Sequence, residues 1–274
     1  MRLGADIGGT FTDIVLVDDE TGLFRLGKVL TTPAQPDDGV MGGIRSVIEG
    51  DAARVSHVVH GTTLFTNALI ERKGALTALV TTRGFRDAVE IAREHRYDMY
   101  DLRLRHPAPI ARRRHRFEID ERILADGTIR QVPDEAEIRR VAEDMRDLGI
   151  EAVAVCLINS YLDGAHERLV GRVLRDVMPE VAITLSSEIA PEIREFERSP
   201  TALCNVYVKR IAERYLTRLE ARTRDEVSSA TGLYVMQSYG GLLTAGQAIE
   251  APIRLVESGP AAGALAAAHY AKTL

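Results

Sequence analysis

The chain has 274 residues, 45% of them hydrophobic and 27% charged, with a formal net charge of −5. That length exceeds the usual single domain and suffices for a sizeable core, while the mild acidity gives nucleic acid no electrostatic hold. No apolar run is long enough to span a bilayer and the N-terminus carries no secretory pattern, so a cytoplasmic protein without membrane attachment is expected. The two cysteines, Cys156 and Cys204, sit in apolar contexts and read as buried free thiols.

In chain order, residues 2–7 form a short apolar strand and residues 12–17 a second. Asp18-Asp19-Glu20-Thr21-Gly22 supplies turn chemistry before a third strand at 23–30. Val40, Ile44, Val47 and Ile48 have helical spacing behind the start signal Pro36-Asp37-Asp38. A fourth strand at 57–60, a helix over 63–73 closed by Gly74, and a fifth strand at 75–81 complete the order βββαβαβ. This is the arrangement of a ribonuclease-H-like lobe of the actin/hexokinase type. After Gly84 the pattern predicts a helix over 85–93, a hairpin around Asp126-Gly127 within 116–131, and an amphipathic helix over 134–148 between Pro133 and Gly149. A strand–helix–strand unit follows (151–158, 166–177, 181–186), then a long helix over 199–226. Strands at 233–239 and 254–256 precede a last helix opened by Ser258-Gly259-Pro260. The fold class is therefore α/β, a ribonuclease-H-like lobe with an inserted α/β accessory region.

The sharpest local motif is Asp6-Ile7-Gly8-Gly9-Thr10-Phe11-Thr12-Asp13. Gly8 and Gly9 remove side chains from a tight turn, so backbone N–H groups can approach an anion. Thr10 and Thr12 offer hydroxyls to phosphate oxygens, and Asp6 at the strand end can hold Mg²⁺. In His60-Gly61-Thr62-Thr63 a strand hands over to a helix. Thr62 or Thr63 can cap that helix beside an anion, or the segment is a capped helix with His60 as a hydrogen-bonded core residue. The charge run Arg194 to Arg198 reads as a solvated face or as an arginine ligand for a carboxylate or phosphate, and the basic run Arg112 to Arg116 as a solvated loop or structural ion pairs. Glu257 to Gly263 permits close backbone approach to a ligand, or tight packing.

Together these segments resemble the hydantoinase A/oxoprolinase family, whose relatives include acetone- and acetophenone-type carboxylases. The matching stretches are Asp6 to Asp13, His60 to Thr63 with Thr66-Asn67-Ala68 and Glu71 to Gly74, Arg83 to Asp87, Tyr100-Asp101-Leu102, Ser160-Tyr161 with His166-Glu167, Glu188 to Arg198, Asn205-Val206-Tyr207, and Glu257 to Gly263. The resemblance implies membership of the actin-like ATPase superfamily and the cofactors ATP and Mg²⁺. It implies activation of a small cyclic amide, a lactam or hydantoin, before ring opening, with ketone carboxylation as the alternative activity and a non-catalytic, partner-binding piece as the rival from another class. A hydantoinase B-type subunit or domain is the implied partner.

On that reading Asp6 handles the metal, and Gly8, Gly9, Thr10, Thr12, Thr62 and Thr63 line the cofactor. His60 and Asp13 are the candidate catalytic residues. The expected division is an N-terminal region over 1–184 (lobe 1–84, accessory region 85–184) and the start of a second domain over 185–274. Family chains carry a second Asp-x-Gly-Gly-Thr-like motif after the Ser-Gly-Pro stretch, and none occurs here. The lobe is thus expected to be truncated before its counterpart, the isolated chain to be inactive, and the coding sequence to continue beyond Leu274.

Overall fold

A computed structural model describes residues 1–95 and 97–272. It divides into two compact units, residues 1–73 with 208–274, and residues 74–207.

The first unit opens with β1 (Arg2–Ile7), β2 (Phe11–Val17) and β3 (Phe24–Leu30), a meander paired antiparallel in register. Alternation decides which side chains are buried: Leu3, Ala5 and Ile7 of β1 and Thr12, Ile14 and Leu16 of β2 face the core. α1 (Pro36–Ile48) lays Val40, Met41, Ile44, Val47 and Ile48 on that face. Gly43 lets the helix approach, because a Cβ there would lie 2.6 Å from Cγ1 of Ile14. β4 (His57–Thr62) then pairs parallel with β1 and leads into the short α2 (Leu64–Ile70).

The second unit contains β5 (Thr77–Thr82), α3 (Ala88–Ile91), β6 (Arg116–Ile119), β7 (Arg122–Ile123), β8 (Ile129–Gln131), α4 (Glu135–Asp147), β9 (Ala152–Cys156), α5 (Ala165–Val177), β10 (Ala182–Leu185), α6 (Ser186–Ile189) and the first part of α7 (Glu195–Glu226). Its sheet has the order β10-β9-β5-β6 and is parallel throughout. Every residue of β5 and β9 is buried, the pattern of strands covered on both faces. α4 and α5 cover one face, with Ile138, Met145, Val170 and Leu174 against Val80, Val153 and Val155. Ala202, Leu203 and Val206 of α7 cover the other, against Leu79, Ala154 and Cys156.

β5 therefore does not close the sheet of the first unit, as chain order suggests. The place beside β4 belongs to β11 (Gly232–Met236), which is parallel to β4 and carries β12 (Leu242–Thr244) on its other edge. The six-stranded order is β12-β11-β4-β1-β2-β3. α8 (Ala245–Glu250) starts on a capping box between Thr244 and Gln247. The strand expected at 254–256 is instead a 3₁₀ turn, Pro252–Leu255, where proline fixes φ and removes a ladder donor. α9 (Ser258–Ala271) buries Ser258 alone. Among the described residues no helix is long and apolar enough to cross a membrane, and neither cysteine is in a disulfide, Cys156 being buried and Cys204 only half-buried.

Candidate functional site

The turn between β1 and β2 is built by three hydrogen bonds. The Gly8 N–H donates to the carbonyl of Phe11 (3.0 Å), the Thr31 N–H to the carbonyl of Thr10 (2.9 Å), and the Thr31 hydroxyl to the carbonyl of Gly8 (2.9 Å). Thr12 is fully buried and its hydroxyl meets that of Thr31 at 3.1 Å. This corrects the expectation that Thr12 faces a ligand. It shares the core parity of Ile14 and Leu16, so it braces the turn from below. Thr10 is exposed, and a Cβ placed on Gly9 would meet nothing within 4 Å. The space above the turn is open.

Asp6 and Asp13 are register partners on β1 and β2 and share the face of the sheet opposite α1. With Lys28, Gly61, Ser258 and Gly259 they line a cavity of about 750 Å³, all within the first unit. Asp13 accepts from Nζ of Lys28 at 2.6 Å, and that ammonium stands 4.8 Å from the Phe11 ring centre. Among the described residues Asp6 has no such partner. Desolvation first, and the charge of Asp13 second, hold its carboxyl above the ordinary aspartate range. A carboxylate in that state gains by meeting a cation. Its Oδ1 lies over Gly61, where a Cβ would come within 2.7 Å.

Ser258, at the start of α9, is 2% exposed and its hydroxyl has no partner among the described residues. Glu257 before it adopts a left-handed φ of 66°, a costly conformation for a residue other than glycine. Lys28 is invisible to motif reading, although its parity on β3 places it beside Asp13.

The His60 segment resolves toward its structural reading. His60 is fully buried; Nδ1–H donates to the Ala5 carbonyl (3.0 Å) and Nε2 accepts from the Tyr215 hydroxyl (2.8 Å). Burial lowers its pKa to about 4, the backbone bond to Ala5 opposing this in part. Neutral and engaged at both nitrogens, it has no proton or lone pair to offer a substrate, so the catalytic expectation for His60 is withdrawn. Thr62 is buried and accepts the first helical N–H, that of Leu64, at 3.1 Å, while Thr63 is exposed and its hydroxyl points to the Ile7 carbonyl at 3.4 Å. Thr62 therefore holds the strand–helix junction, and Thr63 lines a second cavity of about 420 Å³ beside Gly8 and Gly9.

The charge runs in the second unit are structural. Arg198 is 1% exposed and paired with Glu167, and Glu197 accepts from Arg93 at 2.5 Å. Arg113 grips Asp87 through two 2.9 Å bonds, and Arg116 is buried against Asp87 and Glu90.

Comparison with known proteins bears on the family and the fold. The hydantoinase/oxoprolinase N-terminal region matches residues 2–178, and the hydantoinase/oxoprolinase domain matches residues 198–274. An uncharacterised protein of Methanocaldococcus jannaschii is 38% identical over 277 residues, covering all of this chain and 40% of that protein. The caprolactamase alpha subunit of Pseudomonas jessenii is 30% identical over 95% of this chain and 38% of its own length. The 5-oxoprolinase of Saccharomyces cerevisiae is 28% identical over 97% of this chain and 23% of its own. The crystal structure of the ATP-dependent caprolactamase superposes with a TM-score of 0.85, covering 95% of this chain, and nucleotide-free acetone carboxylase with 0.88 at 24% identity, covering 99%. This chain spans about two fifths or less of each of these proteins. With both family regions matched in order along it, the chain belongs to the hydantoinase/oxoprolinase family.

Proposed function

We propose that this chain is the N-terminal part of an ATP-dependent cyclic-amide hydrolase, one that activates the carbonyl of a lactam or hydantoin ring before the ring is opened. The observation that carries the reading is Asp6, an exposed but partly desolvated carboxylate with no cationic partner among the described residues, standing beside an open Gly8-Gly9-Thr10 turn, with the buried Ser258 hydroxyl, likewise unpartnered among them, on the wall of the same cavity as Asp6. Among the described residues no group of three or more His, Cys, Asp or Glu side chains is placed to hold a metal. Mg²⁺ suits such a site, because it binds through one or two carboxylates together with substrate phosphates.

The assignment gives each side chain a task. Asp6 holds Mg²⁺. The N–H groups of Gly9 and Thr10, with the Thr10 hydroxyl, face phosphate oxygens, while Thr12 and Thr31 keep the turn rigid beneath them. Lys28, anchored by Asp13, places a positive charge on the same wall. Bound Mg²⁺-ATP supplies an activated phosphoryl group, which turns an unreactive ring carbonyl into an electrophile. This span of the enzyme binds and orients. The relatives are longer and one is a named alpha subunit, so a second, B-type subunit is proposed to complete the reaction.

Calorimetric titration of Mg²⁺-ATP into the chain tests this. The affinity of Asp6→Ala is expected to fall by about tenfold or more, or about 1.4 kcal/mol. Equal affinities in the two proteins would remove Asp6 from the site.

A further inference from the structure

We infer that the smaller cavity, on the other flank of the Gly8-Gly9 turn, is a subsite for the acid group of a small carboxylate-bearing substrate, with Arg214 as its anchor. The inference rests on the reading of the turn as the nucleotide loop and adds the chemistry of the second substrate.

Strand alternation separates the two cavities. Asp6 faces the larger and Ile7 the smaller. Their electrostatics differ in sign. The charged residues of the larger are two carboxylates, Asp6 and Asp13, against one ammonium, Lys28. Those of the smaller are Arg214 and Lys73 against Glu71. Lys73 already meets Glu71 at 2.6 Å, which leaves the guanidinium of Arg214 uncompensated.

Arg214 has no hydrogen bond or ion pair among the described residues, whereas the next arginines along the same face of α7 are tied down. Arg218 donates to Asp37 (3.0 Å) and Gln35 (2.9 Å), and Arg222 to Asp37 (2.9 Å), Asp38 (2.6 Å) and Glu226 (2.8 Å). The fork of Arg214 therefore remains available, in a concavity otherwise walled by Ile7, Leu64 and Ile211 with the amide of Asn67.

That combination specifies a ligand. A planar guanidinium matches a carboxylate through two parallel N–H···O bonds. One uncompensated positive charge suits a monoanion; a polyphosphate would bring several negative charges against Glu71. The apolar wall suits a compact ring, and a cavity of about 420 Å³ lies within the usual range for small-molecule sites. Gly8 and Gly9 line this cavity and not the larger one, and a Cβ on Gly9 would meet nothing within 4 Å, so such a ring lies against the nucleotide turn itself.

The test is ligand-observed NMR titration of the whole chain with 5-oxoproline and with 2-pyrrolidinone, the same ring without its carboxylate. Wild type is expected to bind 5-oxoproline at least about tenfold more tightly. Arg214→Ala should abolish the difference and Arg214→Lys restore part of it, with thermal midpoints unchanged because Arg214 is exposed. Mg²⁺-ATP affinity should be unaltered in Arg214→Ala, which distinguishes failure here from failure of the nucleotide assignment at Asp6. Equal binding of the two rings, binding of neither, or a preference that survives Arg214→Ala would overturn the inference. Inorganic phosphate binding more tightly than 5-oxoproline, and losing that binding in Arg214→Ala, would give the cavity to phosphate and overturn it equally.

Discussion

In the second unit Glu121, His166, Glu167 and Arg198 are each no more than 4% exposed, and their polar atoms are answered apart from Nε2 of His166 and Nε of Arg198. Glu167 accepts from the Ser160 and Ser186 hydroxyls (2.6 Å each) and from the Leu157 and Ser187 N–H groups (2.9 and 2.8 Å). Arg198 donates to Ser160, to Ser186 (2.8 Å) and to the Leu157 carbonyl (2.7 Å). Glu121 accepts from Thr82 and, at 2.7 Å, from Nδ1–H of His166. In the two cavities of the first unit the disposition is reversed: among the described residues Asp6 and Arg214 lack ionic partners and the Ser258 hydroxyl lacks any. Charge in this second-unit cluster fixes the chain, whereas Asp6 and Arg214 of the first unit face open space, unlike its paired Asp13 and Asp37. A buried group whose bonds are all internal has nothing to give a ligand, so burial and satisfaction separate the two uses better than residue type does.

The strongest way to break this contrast is Arg198→Ala. Removing the guanidinium leaves Glu167 without its counter-charge at 0% exposure, a cost of about 3–5 kcal/mol. Urea unfolding of the whole chain should show that loss. Converting the pair to Glu167→Gln with Arg198→Met should recover much of it, since a buried pair replaced together costs far less than one broken. A loss below about 1 kcal/mol in Arg198→Ala would mean that Glu167 is hydrated and the cluster is not a closed network.

His60 sharpens the comparison because it is a satisfied buried group inside the first unit. Tyr215→Phe leaves Nε2 without its donor, at a cost of about 1–3 kcal/mol. The pH dependence follows from the lowered pKa. Above 6.5 the imidazole is neutral in both folded and unfolded chains and its contribution is fully present. As the pH falls below 6.5 the unfolded chain takes up a proton that the fold refuses until about 4. Stability should therefore drop by about 2 kcal/mol between pH 7 and pH 5. His60→Gln should flatten that slope in urea titrations; an unchanged slope would assign it to other groups.

What the sequence made legible was local. The ends of β1 and β2 and the turn joining them follow from alternation and glycine chemistry within fifteen residues. Thr12 was readable too: it shares parity with Ile14 and Leu16, which already places it on the core side, opposite Asp13. The partner of β5 was not. A uniformly apolar strand carries no mark of which sheet it joins, and β9 lies far along the chain. β11, which takes the place beside β4, is separated from it by the whole of the second unit. Arg198 was hidden for the same reason, since a dense charge run resembles a solvated face until Glu167, on α5, is folded against it. Arg214 carries no motif at all; only the lack of a partner in three dimensions singles it out.

The smallest expected effect is the most specific to Asp6. Gly61 is the register partner of Asp6 on β4, and both face the larger cavity. A methyl group at 61 would lie 2.7 Å from Oδ1 and 3.5 Å from Cγ of Asp6. The contact falls on the end of a movable side chain, so Gly61→Ala should be accommodated by rotating the carboxylate, at about 0.5–1.5 kcal/mol for an off-rotamer χ angle. Replacing glycine within a strand returns about 0.5–1 kcal/mol, so the urea midpoint should scarcely move. Mg²⁺-ATP affinity should nevertheless fall by about three- to tenfold, because the carboxylate is displaced from the position in which it meets the metal. Stability and binding are thereby uncoupled at one atom. Lost stability with unchanged affinity would invert the assignment, making Asp6 part of the packing and leaving the turn to bind phosphate without it.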